Sequence, residues 1–431
     1  MTRVVTGHVV SFSGSLDVAL DLEQGAVAIS DSGHVAWVGS QARLPEEWRA
    51  APRNDFGKKL ILPGFIDAHI HFPQYRMLAA PGKDLLDWLR RFTFPEEARY
   101  ADADYATAAA KLFLKRLFTH GTTAALAFCS VHKSCADALF AAGHEANMAL
   151  VTGKTMMDRN ASPAVQDTPE TGARETEKLY RTWHGKSRLR YAVTPRFAIT
   201  SSEEQLKLSG ELLAGLPGAL MQTHISESPG EIALVKELFP AEKDYTDVYD
   251  RFGLLGPRSI FAHGIHLSER EARRFAESGS SVIHCPTSNT FLGSGLMSMT
   301  FLRETARPVS LGLATDVGGG TSYSMLQTMG EAYKVQMLGG YKPKAAELFA
   351  MSTIGNASRL RIETETGSIS TGKFADLVIL DPEATPVLAA RHALSQSLED
   401  VLFALMILGD DRAVSATYVA GRCCHGPEAA Q

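Results

Sequence analysis

The sequence predicts an α/β fold: a (β/α)8 TIM-like barrel, with a small β-sandwich domain built from both chain ends. Three observations carry this expectation. Eight apolar β-like runs alternate with longer stretches of helical periodicity through the middle of the chain. The polar residues suited to chemistry close those runs rather than open them, and a barrel carries its site at the C-terminal ends of its strands. Both ends of the chain read instead as short strands divided by Gly, Ser and Asp turns.

Taken in order, residues 1–62 hold the apolar runs Val4-Val5, Val9-Val10, Ala26–Ile29 and Val35–Val38, with a hairpin turn at Asp31-Ser32-Gly33. Residues 63–365 hold the barrel. Its first run spans 61–71, and Pro63-Gly64 marks the start of the strand proper. The others are Thr122–Phe128, Ala149–Thr155, Arg190–Pro195, Leu220–His224, Ser259–His263, Ser281–His284 and Val309–Thr315. Helix-like stretches such as Tyr105–Phe118 and Ser202–Leu213 lie between them, with apolar residues at 3.6-type spacing. Residues 366–431 return to strands at Asp376–Leu380 and Ala416–Ala420, and these are expected to pack with residues 1–62 as one composite β domain.

A chain of 431 residues with 45% apolar and 21% charged residues can bury a sizeable core. Its net charge of -5 and lack of a basic run give no electrostatic ground for binding nucleic acid. Cys129, Cys135, Cys285, Cys423 and Cys424 are odd in number and form no C-x-x-C pair, so neither a disulfide framework nor a thiolate zinc site is expected. A reduced, cytoplasmic setting fits. No apolar segment approaches the ~20 residues that cross a membrane, and the first residues lack a signal-peptide core.

Side chains alternate along a strand, so His69 and His71 point the same way and form half of a metal site. An isolated His-x-His is more often structural. Here further candidates close other strands: His224 and, three residues on, Glu227 after the fifth, His263 after the sixth, and Asp316 before Gly318-Gly319-Gly320 after the eighth. Coincidence explains His69, His71, His224, His263 and Asp316 at four strand ends poorly. His69, His71, His224 and Asp316 supply three imidazoles and a carboxylate, which suits one Zn2+ per chain, or Fe2+. Such an ion lowers the pKa of water to ~7. Glu227 is then placed to carry protons, and His263 to orient or stabilise the attacking oxygen.

The segments PGFIDAHIHFPQ, LLDWLRRFTFPEEARY, GTTAAL, GKTMMDRN, TPRF, QTHISES, FAHGIHLS, HCPTSN, LGLATDVGGG, YSMLQT, GKFADLVIL and LGDDR together resemble the amidohydrolase superfamily, in its single-metal aminohydrolase branch. The likeness extends over nearly the full chain and is strongest to the members that act on guanine. It implies metal-dependent hydrolysis of guanine to xanthine and ammonia in purine catabolism, by a homodimer whose partner molecule is a small purine. It makes His69, His71, His224 and Asp316 metal ligands, and Glu227, His263 and Asp316 catalytic residues. It places His71, Gln74, Trp88, Arg196, Phe197, His224, Glu227 and Asp316 around the substrate. Arg donors suit the O6/N7 edge of guanine, and Phe197 offers an aromatic face; Trp88 reads equally as a packing residue. The fourth strand closes with Thr194-Pro195-Arg196, not with the lysine of two-metal members, and Lys154 reads as structural. His144-Glu145 and Cys285-Pro286 lack the spacing of a cytidine-deaminase zinc site. His266 and His284 read as structural, and His132 as nearer the pocket. Alternatives are deamination of another amino-heterocycle (8-oxoguanine, a pterin or an aminotriazine) and a non-catalytic scaffold of the same fold.

Overall fold

The computed structural model describes residues 2–305 and 308–429. Eight parallel strands surround its centre: Phe65–His71, Thr122–Phe128, Ala149–Gly153, Leu189–Pro195, Leu220–Ile225, Ser259–His263, Ser281–His284 and Ser310–Leu313. Each pairs with the next in chain order. Every residue of the first, second and fifth strands is buried, as strands covered by helices on one side and by the barrel interior on the other must be. The ring is nearly closed where the eighth strand returns to the first. There the Asp316 N–H donates to the His69 carbonyl at 2.9 Å, and the Thr315 N–H to Asp67 Oδ1 at 3.1 Å.

The stretch read as helical over Tyr105–Phe118 is a helix over Ala103–Thr119, capped by Asp102, whose side chain accepts from two backbone N–H groups. The Ser202–Leu213 stretch becomes helix Glu203–Gly215, with the Ser202 hydroxyl accepting from the Gln205 N–H at 3.1 Å.

Both chain ends meet in one seven-stranded sheet, formed by Arg3–Phe12, Val18–Ile29, Val35–Ser40, Arg53–Pro63, Leu377–Leu380, Val414–Val419 and Arg422–His425. Arg53–Pro63 joins the halves, running parallel to the first strand of the chain and antiparallel to Leu377–Leu380. The sheet curls over an apolar cluster that takes Val5, Val9 and Val27 from one half and Leu377, Ile379 and Tyr418 from the other. Its hairpin at Gly33 reaches the far half, where the Ala375 N–H donates to the Gly33 carbonyl at 2.8 Å. Leu60, Leu62, Val378 and Leu380 face the barrel and join its core.

Three sequence expectations shift in detail. The apolar run 61–71 divides at Gly64: Ile61 to Pro63 belong to the terminal sheet, and the barrel strand begins at Phe65. A Cβ at Gly64 would stand 2.2 Å from Thr123 Oγ1, so this crossing point needs a residue without a side chain. The third strand ends at Gly153, and Thr155–Met156 pairs separately with the fourth. The eighth is shorter than expected, because residues past Leu313 already turn toward the site.

Candidate active site and metal centre

The first strand presents His69 and His71 to the same side, their ring centroids 4.9 Å apart. The fifth brings His224, whose Nδ1 lies 2.7 Å from the Arg196 carbonyl oxygen. A carbonyl only accepts, so Nδ1 carries the proton and the Nε2 lone pair turns inward. That Nε2 stands 3.2 Å from His71 Nε2. Asp316 Oδ1 lies 3.2 Å from His69 Nε2 and 3.4 Å from His71 Nε2. Burial lowers the pKa of His69 and pushes His71 and His224 well below the ordinary imidazole range, so all three are neutral, the form that ligates. Burial would raise Asp316, but its contact with His69 and the nearby His263, whose own pKa is raised, hold it down at about 2. Neutral ring nitrogens and an ionised carboxylate thus converge on one point, and His69 Nε2 has no hydrogen-bond partner. This donor set fits a single divalent cation. Cys285 also approaches His69, His263 and Asp316. Burial drives its thiol pKa up, and a protonated thiol is a poor ligand.

The backbone at these strand ends is unusual. Ser226, His263 and Asp316 have φ of 47°, 72° and 51°, left-handed values that cost energy for residues with a side chain. The turns aim Glu227, His263 and Asp316 inward. Glu227 Oε2 stands 3.4 Å from His263 Nε2, and Oε1 accepts from the Ser294 hydroxyl at 3.2 Å. Burial raises the Glu227 pKa to about 7; His263 opposes that rise, while Glu231 and Asp316 add to it. The Glu231 carboxylate accepts the Glu227 N–H at 2.7 Å and the Tyr245 hydroxyl at 2.8 Å, pinning the loop. His263 Nδ1 lies 2.8 Å from Asn289 Oδ1. Burial alone would lower the His263 pKa, yet the carboxylates of Glu227 and Asp316 outweigh it and the net shift is upward.

Above these groups lies a small pocket, partly open to solvent. His71, Gln74, Trp88, Arg196, Phe197, His224, Glu227, His263 and Asp316, all expected from the sequence, line it together. His69 lies beside His71 and His224, outside the pocket lining. Residues not singled out from the sequence complete the wall: Leu85, Leu89, Ser288, Leu292 and Gly319. Behind it, Glu97 binds Arg196, and Asn289 and Ser294 hold His263 and Glu227. Glu97 and Asn289 sit in the FPEEARY and HCPTSN segments, so their positions were visible though their partners were not. His132 is half-buried and does not line the pocket. His266 bonds the Ser294 carbonyl at 2.8 Å. Burial drives His284 down to about 3, leaving it a neutral core residue. Lys154 is fully buried in a short ion pair with Asp167, with Glu175 at 3.6 Å, as a structural residue would be.

The model of the amidohydrolase family matches residues 60–424. The chain belongs to the amidohydrolase family. Similar amidohydrolases include the guanine deaminase of Escherichia coli K12, 44% identical over 405 residues, covering 93% of this chain and 91% of that protein. The guanine deaminase of Rattus norvegicus is 35% identical over 416 residues, covering 92% and 91%. Among solved structures, E. coli guanine deaminase superposes with a TM-score of 0.93 at 41% identity, covering 99% of this chain and 100% of that one. Guanine deaminase from C. acetobutylicum with bound guanine in the active site gives 0.88 at 29% identity, covering 98% and 100%. Among the described residues, no helix of this amidohydrolase is long and apolar enough to cross a membrane.

Proposed function

We infer that this amidohydrolase deaminates guanine, consuming water and yielding xanthine and ammonia. The observation that carries the reading is a protonatable buried carboxyl, Glu227, set beside a centre of neutral imidazoles and one carboxylate at the floor of one pocket. Its likeness to guanine deaminases over nearly the whole chain selects the substrate.

His69, His71, His224 and Asp316 are the residues that would hold one Zn2+ or Fe2+ per chain. When bound, such an ion supplies water of lowered pKa as a nucleophile at neutral pH. Glu227, poised at about 7, is placed to take a proton from the attacking water and give it to N3 of the purine, leaving C2 electrophilic. His263, whose Nε2 lies between the two carboxylates, stabilises charge that develops at C2 as the oxygen adds. Asp316 accepts the remaining proton and delivers it to the leaving amine. Arg196 and Gln74 orient the ring through polar contacts, with Trp88 and Phe197 against its faces.

The same reading places the protein in purine catabolism, in the cytoplasm, as a homodimer with no nucleic-acid or membrane partner. It divides the chain into a composite β domain, residues 1–62 with 366–431, and a catalytic barrel, 63–365. Met1, Ala306, Arg307, Ala430 and Gln431 lie outside the described residues. The test is turnover of guanine by purified protein, followed by the ultraviolet change to xanthine. A parallel screen over 8-oxoguanine, a pterin and an aminotriazine ranks the alternatives. Higher kcat/KM on one of those would displace guanine, and metal-loaded protein inert to all would leave the scaffold reading.

A further inference from the structure

Behind the pocket, three elements meet at one buried carboxylate. Glu97, on helix Phe94–Ala98, is 0% exposed, and Gln74 and Arg196 beside it are 1% and 2% exposed. Glu97 Oε1 accepts from Gln74 Nε2 at 2.9 Å and from Arg196 Nη1 at 2.9 Å, and Oε2 accepts from the same Nη1 at 2.9 Å. A carboxylate has no hydrogen to donate, so Gln74 must turn its NH2 toward Glu97. The opposite amide orientation would set two acceptors against each other. Gln74 Oε1 is therefore directed away from Glu97, and it is buried with no donor among the described residues. Gly318 leaves the room for it: a Cβ there would stand 1.9 Å from Oε1. Arg196 commits Nη1 to Glu97, and its other guanidinium nitrogens take no protein hydrogen bond among the described residues. Arginine has donors only.

We propose that Glu97 is a positioning residue that sets the hydrogen-bond polarity of the pocket: it fixes the Gln74 amide so that only its acceptor is left free, and it holds the donors of Arg196 beside it. This rests on the guanine reading above and deepens it by naming the recognised group. A wall of one fixed acceptor beside fixed donors matches the lactam edge of a 6-oxopurine: O6 accepts from Arg196, and N1–H donates to Gln74 Oε1. A 6-aminopurine carries the inverse pattern, an NH2 opposite the arginine and a bare N1 opposite the carbonyl. Turning the ring over to correct the match would carry C2 away from Glu227. Buried polar groups left unpaired are what make such a site selective, more than lost attraction. The Arg196 carbonyl is also the acceptor for His224 Nδ1, so the residue that reads the purine edge is anchored to a candidate metal ligand.

The test compares guanine with 2,6-diaminopurine, which keeps the 2-amino leaving group and inverts only the edge at N1 and C6. Glu97→Gln frees the Gln74 amide to turn, since a glutamine can either donate or accept there. Its guanine-to-2,6-diaminopurine ratio of kcat/KM should fall at least about tenfold, the worth of one such hydrogen bond. The loss on guanine should lie mainly in KM, with metal content unchanged. Should loss of the carboxylate leave the Arg196 charge too poorly paired to fold, Gln74→Met removes the acceptor while keeping size and the Glu97–Arg196 pair. It should lower the same ratio. A folded, metal-loaded variant of either kind with the wild-type ratio would overturn the proposal. Wild-type protein that fails to deaminate guanine would remove the functional reading itself, and this inference with it; active wild type with an unmoved ratio removes this inference alone.

Discussion

Replacing Glu227 by glutamine is the sharpest test of the proposed chemistry. The pocket accommodates the change. Glutamine has the same size and reach, so it can still accept from the Ser294 hydroxyl, 3.2 Å away, and meet His263, 3.4 Å away. What it cannot do is carry a proton from water to the purine ring. A positioned proton carrier is typically worth ~10²–10⁴ in rate, which converts to about 3–5 kcal/mol of barrier. Glu227→Gln should therefore fold, hold its metal and bind guanine with near-normal KM, while kcat drops at least about a hundredfold. A second readout follows from the raised pKa. In the folded, metal-stripped protein the carboxyl titrates at about 7, above its ordinary 4.5. A raised pKa contributes stability that is fully present below the unfolded value and lost as pH rises through the folded one. Stripped wild type should thus lose melting temperature relative to Glu227→Gln between pH 5 and 8, because the glutamine does not titrate. The assays are steady-state kinetics with metal analysis, and melting curves across that range. Near-normal kcat in metal-loaded Glu227→Gln would refute the shuttle role and pass it to His263 or Asp316.

Purified protein should hold about one divalent ion per chain, lose activity with a chelator and regain it on adding Zn2+ or Fe2+; active protein that holds no metal and ignores chelator would remove the centre. Arg196→Ala should raise KM for guanine strongly with metal content intact, and Gln74→Ala should act in the same direction, since neither supplies a ligand side chain; metal loss or normal turnover in Arg196→Ala would contradict the pocket assignment. Lys154→Met should leave the Asp167 carboxyl buried beside no cation, costing about 3–5 kcal/mol of stability by denaturant melts, while the folded fraction keeps its full metal complement. A selective loss of metal at unchanged stability would show that Lys154 serves the centre.

The barrel and the convergence of its candidate metal ligands were legible because they rest on local pattern. Strand alternation alone puts His69 and His71 on one side, and apolar runs that close in His224, His263 and Asp316 mark strand ends in any parallel barrel. Glu227 followed from its distance to His224 along the same chain. The resemblance of whole segments supplied Gln74, Trp88, Arg196 and Phe197. Local pattern misjudged continuity where the chain changes sheets without changing hydropathy. Ile61 to His71 is one apolar run, yet Gly64 hands it from the terminal sheet to the barrel because only a glycine fits beside Thr123.

Other properties exist only through contacts between distant segments. Glu97 looks like one more surface carboxylate on a short acidic helix until Arg196, 99 residues away, and Gln74 close on it in the core. Asn289 and Ser294 are ordinary loop residues until His263 and Glu227 arrive from other strands. The pKa values belong to this class as well. Composition makes Glu227 an acid with an ordinary pKa; burial beside other carboxylates moves it to about 7, and contacts with His69 and His263 take Asp316 to about 2. Sequence by itself determined which side chains were available at which strand ends, since periodicity is local. Tertiary structure decided their protonation and orientation, because desolvation and hydrogen-bond polarity are properties of the space between segments and of no single segment.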